Sequence, residues 1–184
     1  AILCELHGRR SDPFDTLILR RAKRWCGEDA AAAAPIIKRN ITRLCTLVPC
    51  RLAFSVLRTI CNGWCTSRRF QKVVAPCWLC DADGGDDITR YVDCGAVHAF
   101  CATHIGDRWW PSGPLPTIRR AILAEVMTDT ELVLTAAIVD TILQSANAAR
   151  ANRHNARGWQ LLPARWRATV RHSPAVERAW KLTK

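Results

Sequence analysis

The sequence predicts a mainly α protein: a helical domain that carries a small irregular insert rich in cysteine and histidine, followed by a basic helical C-terminal tail. Apolar residues recur at helical spacing in several long stretches, and strict strand-type alternation is absent except around "DITRYVDC". Four cysteines and two histidines are concentrated between Cys77 and His104. A hydrophobic content of 49% with 23% charged residues indicates a globular rather than a disordered chain.

Three helices are expected in the N-terminal part. The stretch "DTLILRRAKRWC" has apolar residues on one helical face and arginines on the other, with Asp15 as the N-cap. A second helix is expected to start around Pro35, because proline suits the first turn. A third is opened by Pro49 and stopped by Asn62 and Gly63. Its apolar stripe consists of Leu52, Val56 and Ile60, with Phe54, Leu57 and Cys61 alongside.

Further helices are expected after the proline- and glycine-rich break "GDRWWPSGPLP". The stretch "PTIRRAILAEVM" has Pro116 at its start. In "DTELVLTAAIVDTILQSANAARANR", Thr128 or Asp129 provides the N-cap and Glu131 a favourable first-turn charge. This helix turns arginine-rich at about Arg150, and the amphipathic piece "SPAVERAWKLTK" ends the chain.

These patterns divide the chain into four segments: a basic helical segment (1–72), a Cys/His module (73–106), a helical hairpin (107–149) and a basic tail rich in tryptophan and arginine (150–184). The sequence starts at Ala1 without a signal segment. We therefore expect further domains of the same polypeptide before residue 1. No run of eighteen apolar residues occurs, so no membrane association is expected.

Charge is distributed unevenly along the chain, whose net charge is +11. Residues 1–80 carry a balance of +9, residues 81–149 one of −6, and residues 150–184 one of +8. Two basic blocks flanking an acidic middle indicate a polyanionic partner, and RNA or DNA is the expected one. A basic protein with solvated charged faces is the alternative.

Ten cysteines are many for a chain with long helical patterns and no signal segment. A reducing compartment is therefore expected, in which scattered cysteines act as small buried hydrophobes and clustered ones are metal candidates. The scattered ones are Cys4, Cys26, Cys45, Cys50, Cys61 and Cys65.

The clustered residues predict a Zn²⁺ site in a zinc-knuckle or treble-clef-like insert, because a C-x2-C spacing turns two thiolates toward one metal. Two ligand sets are open. The compact set is Cys77, Cys80, Cys94 and His98, and the wider set is Cys77, Cys80, Cys101 and His104. A RING finger is not expected, because the ligands of its second zinc would require cysteines downstream of Cys101.

The stretches "VLRTICNGWCTSRRFQ" and "CWLCDADGGDDITRYVDC" resemble the region C-terminal to the polymerase domain in LINE-type, non-LTR retrotransposon reverse transcriptases. The resemblance covers roughly residues 48–98 and implies a zinc knuckle in a nuclear protein. Its three cysteines fall on Cys77, Cys80 and Cys94, and its histidine on Arg90. Arginine stays protonated and cannot bind zinc. The chain has therefore either lost the site or recruits His98 or Cys101.

The resemblance and the charge pattern together predict a nucleic-acid-binding, zinc-knuckle-containing segment of a retroelement polypeptide. Arginine forks suit phosphate contacts, and tryptophans interleaved with arginine suit stacking on single-stranded bases. The residues expected to bind nucleic acid are Arg51, Arg58, Arg68, Arg69, Lys72, Arg150, Arg153, Arg157, Trp159, Arg165, Trp166, Arg167 and Arg171. Tryptophan packing in a core is the alternative for Trp159 and Trp166.

The segment is not expected to be an enzyme by itself, although its parent polypeptide would be an RNA-directed DNA polymerase. The pair in "GGDDI" lacks the flanking strand pattern of a polymerase site and reads as a solvated acidic loop. No phosphate-cradling glycine loop or nucleophile elbow occurs. Two alternatives remain open: a treble-clef or RING-like structural zinc finger that binds a protein partner or is a component of a ribonucleoprotein, and a degenerate retroelement remnant without metal.

Overall fold

A computed structural model describes residues 14–67, 75–83, 85–111, 113–152 and 158–183. These ranges contain helices and no strand, so the predicted mainly α class is confirmed for them. The α-helices are α1 (Phe14–Cys26), α2 (Ala30–Leu47), α3 (Cys50–Ile60), α4 (Ile88–Val92), α5 (Gly95–His104), α6 (Pro114–Ala121), α7 (Asp129–Ala151), α8 (Gly158–Arg171) and α9 (Pro174–Lys181). Single 3₁₀ turns lie at Gly27–Asp29 and Asp107–Trp109.

Helix α7 is the centre of the fold, and helices α2, α3, α4, α6, α8 and α9 pack against it. Every residue from Leu132 to Leu143 is buried. Its start follows the predicted capping pattern: the Thr128 hydroxyl accepts the Glu131 backbone N–H, and the Glu131 carboxylate accepts the Thr128 N–H at 2.8 Å. The two reciprocal bonds satisfy donors that the first helical turn leaves free.

Within the described residues, α7 is the one helix long and apolar enough to cross a membrane, by length and composition alone. In this protein 83% of the most apolar 18-residue stretch of α7 is buried. That burial is typical of the central helix of a core.

The predicted helices agree with the structure apart from some boundaries. Helix α2 begins at Ala30, five residues before the expected start, because the alanine run has the highest helix propensity and extends the helix through Pro35. Helix α3 follows Pro49 as expected, and Leu52, Val56 and Ile60 are buried. Phe54, which the sequence places beside that stripe, is 47% exposed.

Three stretches differ from their sequence-based description. "DITRYVDC" forms helix α4 instead of a strand, because the Asp87 side chain accepts the Thr89 N–H at 2.8 Å and caps a first turn. Residues 95–104, which the sequence assigns to the irregular insert, form helix α5. In the 150–184 tail, helices α8 and α9 pack on α7, and the buried core runs from Ile18 to Ala179. Side chains from all four predicted segments therefore share one core.

Candidate metal centre and basic surface

Cys77, Cys80 and Cys94 form the candidate metal centre: their Sγ atoms all lie within 4.8 Å of one another. The Sγ atoms of Cys77 and Cys94 are 3.9 Å apart. A tetrahedral zinc with Zn–S bonds of about 2.3 Å requires sulfur–sulfur edges of about 3.8 Å. The separation of these two sulfurs therefore already matches a zinc–thiolate centre, and all three residues are ligand types that zinc prefers.

Local backbone geometry brings the first two cysteines together. The Asp81 N–H donates to the Cys77 carbonyl at 2.8 Å, and the Cys77 N–H donates to the Ala82 carbonyl at 2.9 Å. These bonds fold the C-x2-C segment back on itself. Gly85 then passes against Cys77, where an added Cβ would lie 2.5 Å from the Cys77 Cβ. A side chain at residue 85 would push the loop away from the sulfurs.

Cys94 supplies the third sulfur from the N-cap position of α5. The hydrogen bond donated by the Cys77 thiol lowers the pKa of Cys94, burial opposes that shift, and the Cys80 thiol and the Ala96 and Val97 amides lower the pKa further. Donation to Cys94, together with burial, raises the pKa of Cys77. One thiolate is thus favoured at the centre, and thiolates are the form that binds metal.

The other predicted ligands lie outside this three-sulfur group, within the part of the chain that the structure describes. The His98 Nε2 atom lies 3.1 Å from Asp93 Oδ1. Cys101 is buried, and burial raises its pKa. The His104 ring packs on Phe100, with centroids 5.1 Å apart. The structure therefore brings together three residues of the compact set and only two of the wider set. Arg90, at the position of the family histidine, is exposed.

The acidic pair beside the centre is buried, so the expectation of a solvated loop was wrong. Asp86 accepts hydrogen bonds from the Tyr91 hydroxyl at 2.7 Å and the Ser67 backbone N–H at 2.6 Å. The Arg150 guanidinium lies 3.0 Å from it. Burial alone would raise the pKa of Asp86, but the bonds from Tyr91 and Ser67 and the charge of Arg150 outweigh burial and lower it.

The predicted nucleic-acid-binding residues divide into four groups. Arg58, Arg165, Arg167 and Arg171 are exposed and have no carboxylate partner among the described residues. Arg51 and Arg150 are exposed in part and form ion pairs with Asp140 and Asp86. Trp159 is exposed and Trp166 is buried. Arg68, Arg69, Lys72, Arg153 and Arg157 lie outside the described residues.

Trp166 is 2% exposed and packs edge-on against Phe100 and Trp180, with ring centroids 6.2 and 6.3 Å away. Its ring is therefore not available to stack on a base. Trp166 therefore packs in the core, which was the alternative to nucleic-acid binding, whereas Trp159 remains a candidate nucleic-acid contact. Trp64 is also buried, at 2% exposure.

Asp140 is a buried carboxylate that sequence reasoning missed. It is 0% exposed in the centre of α7, and it accepts from Ser55 at 2.8 Å and from Arg51 at 2.8 Å. Thr169 of α8 lies 3.5 Å from the same carboxylate oxygen that Arg51 contacts. A single acid in the apolar run "LVLTAAIVDTIL" was the available signal. This residue joins α3, α7 and α8.

Helix α8 begins directly on the cysteine loop. The Gly158 N–H donates to the Trp78 carbonyl at 3.1 Å, and the Trp159 N–H donates to the Leu79 carbonyl at 3.2 Å. These two carbonyls belong to the residues between Cys77 and Cys80. The loop of the candidate metal centre and the basic helix α8 are therefore joined by backbone hydrogen bonds.

Comparisons with protein-family models, with curated proteins and with solved structures return no match for this chain. The likeness to LINE-type reverse transcriptases thus rests on the motifs of residues 48–98.

Proposed function

We propose that this chain is a non-catalytic, nucleic-acid-binding segment in which Cys77, Cys80 and Cys94 hold a structural Zn²⁺ ion. The observation that carries the proposal is the convergence of three sulfurs within 4.8 Å in an otherwise helical protein. The resemblance adds the wider setting, a nuclear retroelement polypeptide with the polymerase domain before residue 1.

The three cysteines fit zinc as a structural ion. When bound, zinc would cross-link the C-x2-C loop to the N-terminus of α5 and so stabilise the relative position of these two elements. Three protein sulfurs leave one position of a tetrahedron for a further ligand. Arg90 cannot fill it, because a guanidinium stays protonated.

Unpaired arginines support the second part of the proposal. Arg58 on α3 and the arginines of α8 are exposed, without carboxylate partners in the described ranges. A guanidinium that is not neutralised by the protein can contact phosphate with two parallel hydrogen bonds. Helices α3 and α8 also meet at Asp140, because Arg51 and Thr169 contact the same carboxylate oxygen.

Metal content tests the zinc site. Elemental analysis of the purified chain should give about one zinc per chain. Cys80→Ser and Cys94→Ser should lose the zinc, whereas Cys101→Ser and the exposed control Cys45→Ser should keep it. Loss from Cys101→Ser with retention in Cys94→Ser would instead support the treble-clef finger. No zinc in a wild-type chain with full helical content would support the degenerate remnant.

Salt dependence tests the nucleic-acid interaction. Log affinity should fall with log salt concentration by about 0.7 for each neutralised phosphate on single strands, or about 0.9 on duplex DNA. Binding that does not change between low and physiological salt would contradict the proposed contacts. A zinc-loaded chain that binds neither RNA nor DNA would favour a protein-binding finger.

A further inference from the structure

We propose that Trp159, Arg167 and Arg171 of α8 form a binding surface specific for single-stranded nucleic acid, and that the cysteine loop holds this surface in place. The inference rests on the proposed function and names its ligand class and the helix that binds it. Trp159, Arg167 and Arg171 are together called the α8 surface.

Trp159 is the most exposed of the eight tryptophans in the chain, at 45%. Its backbone is fixed by the hydrogen bond to Leu79, so its ring is presented from a defined point beside the metal centre. A half-exposed indole is a large apolar surface left in water, and stacking against a flat base would cover it.

The rest of the α8 surface is purely basic. Helix α8 contains three arginines and no Asp or Glu, and all three arginines are exposed. Arg167 and Arg171 are four residues apart and therefore share one face. At 1.5 Å per residue, Trp159 and Arg171 are about 18 Å apart along the axis, which is the length of about five stacked nucleotides.

This combination selects single strands over duplexes. A ring can stack on a base only when one face of that base is free, and the bases inside a duplex are covered by their neighbours. Arginines alone would bind the phosphates of either form. The tryptophan is therefore the element that discriminates, whereas the arginines provide the charge that attracts the strand.

Contact with the cysteine loop makes the surface dependent on that loop. An added Cβ at Gly158 would lie 2.3 Å from the Trp78 carbonyl oxygen and 2.8 Å from a Leu79 methyl carbon. The backbone of α8 thus approaches the loop as closely as a glycine permits. Displacing the loop would remove the hydrogen-bond acceptors of the first turn of α8, in which Trp159 lies.

Fluorescence anisotropy of the zinc-loaded full chain tests the inference, with fluorescein-labelled dT10 and rU10 single strands and a ten-base-pair duplex as probes. Trp159→Ala should weaken single-strand binding by about five- to 150-fold, because the stacking of one base is lost. Trp159→Phe should keep most of the wild-type affinity for single strands, because phenylalanine also offers a ring for stacking. Arg167→Ala/Arg171→Ala should weaken binding and reduce the salt slope by about 1.4.

The matched control for the arginine pair is Lys23→Ala/Arg39→Ala. These residues are exposed on α1 and α2 and have no ion pair among the described residues. The control removes the same charge and should change affinity by only about twofold, because distant surface charges are screened.

The two proposals can fail separately. If the wild-type chain binds none of the probes, the proposed function fails and the inference fails with it. If it binds but the α8 variants match the Lys23/Arg39 control, or if the duplex is bound as tightly as the single strands, only the inference is overturned. Selective loss with Trp159→Ala and rescue with Trp159→Phe support it.

Discussion

The backbone N–H of Gly158 donates to the carbonyl oxygen of Trp78 at 3.1 Å, across eighty residues of sequence. The first N–H groups of a helix have no partner inside the helix. Here the loop between Cys77 and Cys80 accepts two of them, so the start of α8 and the cysteine loop satisfy each other. The relationship predicts that a change at residue 158 will affect both elements.

Gly158→Ala should destabilise the protein. The new Cβ would lie 2.3 Å from the Trp78 oxygen and 3.1 Å from its carbonyl carbon, and backbone atoms cannot move aside as a flexible side chain can. We expect a loss of about 1–3 kcal/mol in the free energy of unfolding, measured by urea denaturation of the zinc-loaded chain.

The matched control is Gly95→Ala in the first turn of α5, where an added Cβ has nothing within 4 Å. That variant should be neutral or gain about 0.4–1 kcal/mol, because alanine restricts the unfolded chain. Equal stability of the two variants would contradict the tight contact at Gly158.

Arg51→Ala should lower stability more than Arg58→Ala, although both arginines lie on α3 and are exposed. Arg51 lies 2.8 Å from the buried Asp140 carboxylate and is itself 52% exposed, so solvent screens part of the pair. Removing Arg51 leaves the buried Asp140 carboxylate without its cationic partner, which should lower the free energy of unfolding by about 1–2 kcal/mol. Arg58→Ala should stay within about 0.5 kcal/mol.

The same pair separates stability from binding. Arg58 has no carboxylate partner in the described ranges, so its loss should reduce nucleic-acid affinity in anisotropy measurements without lowering the unfolding midpoint. A drop in midpoint as large as that of Arg51→Ala would show that Arg58 is also structural.

Asp86→Asn should destabilise the protein in a pH-dependent manner. The pKa of Asp86 is lowered in the folded state, so its contribution is complete above the unfolded pKa of about 4 and is lost as the pH falls through the folded value. At pH 7 the substitution leaves Arg150 uncompensated and should cost about 2–4 kcal/mol. The difference from wild type should shrink below about pH 4.

Denaturation across pH 3–7 measures this, with Asp83→Asn as the control on the same loop. Asp83 is exposed, and its variant should follow the wild-type curve within about 0.5 kcal/mol. If the difference in free energy of unfolding between Asp86→Asn and wild type stayed constant down to pH 3, the charge of the carboxylate would not contribute to stability.

The helices could be predicted from sequence because their signals are local. The capping pair Thr128 and Glu131, the stop at Asn62 and the opening proline Pro49 each act within a turn or two of chain. The start of α2 was missed because the alanine run outweighed the proline signal.

The candidate site was predictable only in part. The short spacing of Cys77 and Cys80 marks one side of it, but whether Cys94, Cys101 or both reach those sulfurs depends on how α5 packs. The burial of Cys101 and the contact of His98 with Asp93 are tertiary facts. The roles of Asp86 and Asp140 could not be predicted from the neighbouring sequence either, because their arginine partners lie 64 and 89 residues away along the chain.

Trp166→Ala should destabilise the protein far more than Trp159→Ala, although both tryptophans lie on α8 and are close to arginines in the sequence. Leu162, Trp166 and Val170 recur every four residues and form the buried face of α8, whereas Trp159 lies in the first turn of the helix and is 45% exposed. Deleting the buried indole leaves a cavity between Phe100 and Trp180 and should cost about 3–5 kcal/mol. Trp159→Ala should cost about 0.5 kcal/mol or less. Urea unfolding of both variants measures this difference. Similar losses in the free energy of unfolding would mean that Trp159 is a packing residue rather than an exposed ring available to a nucleic-acid base.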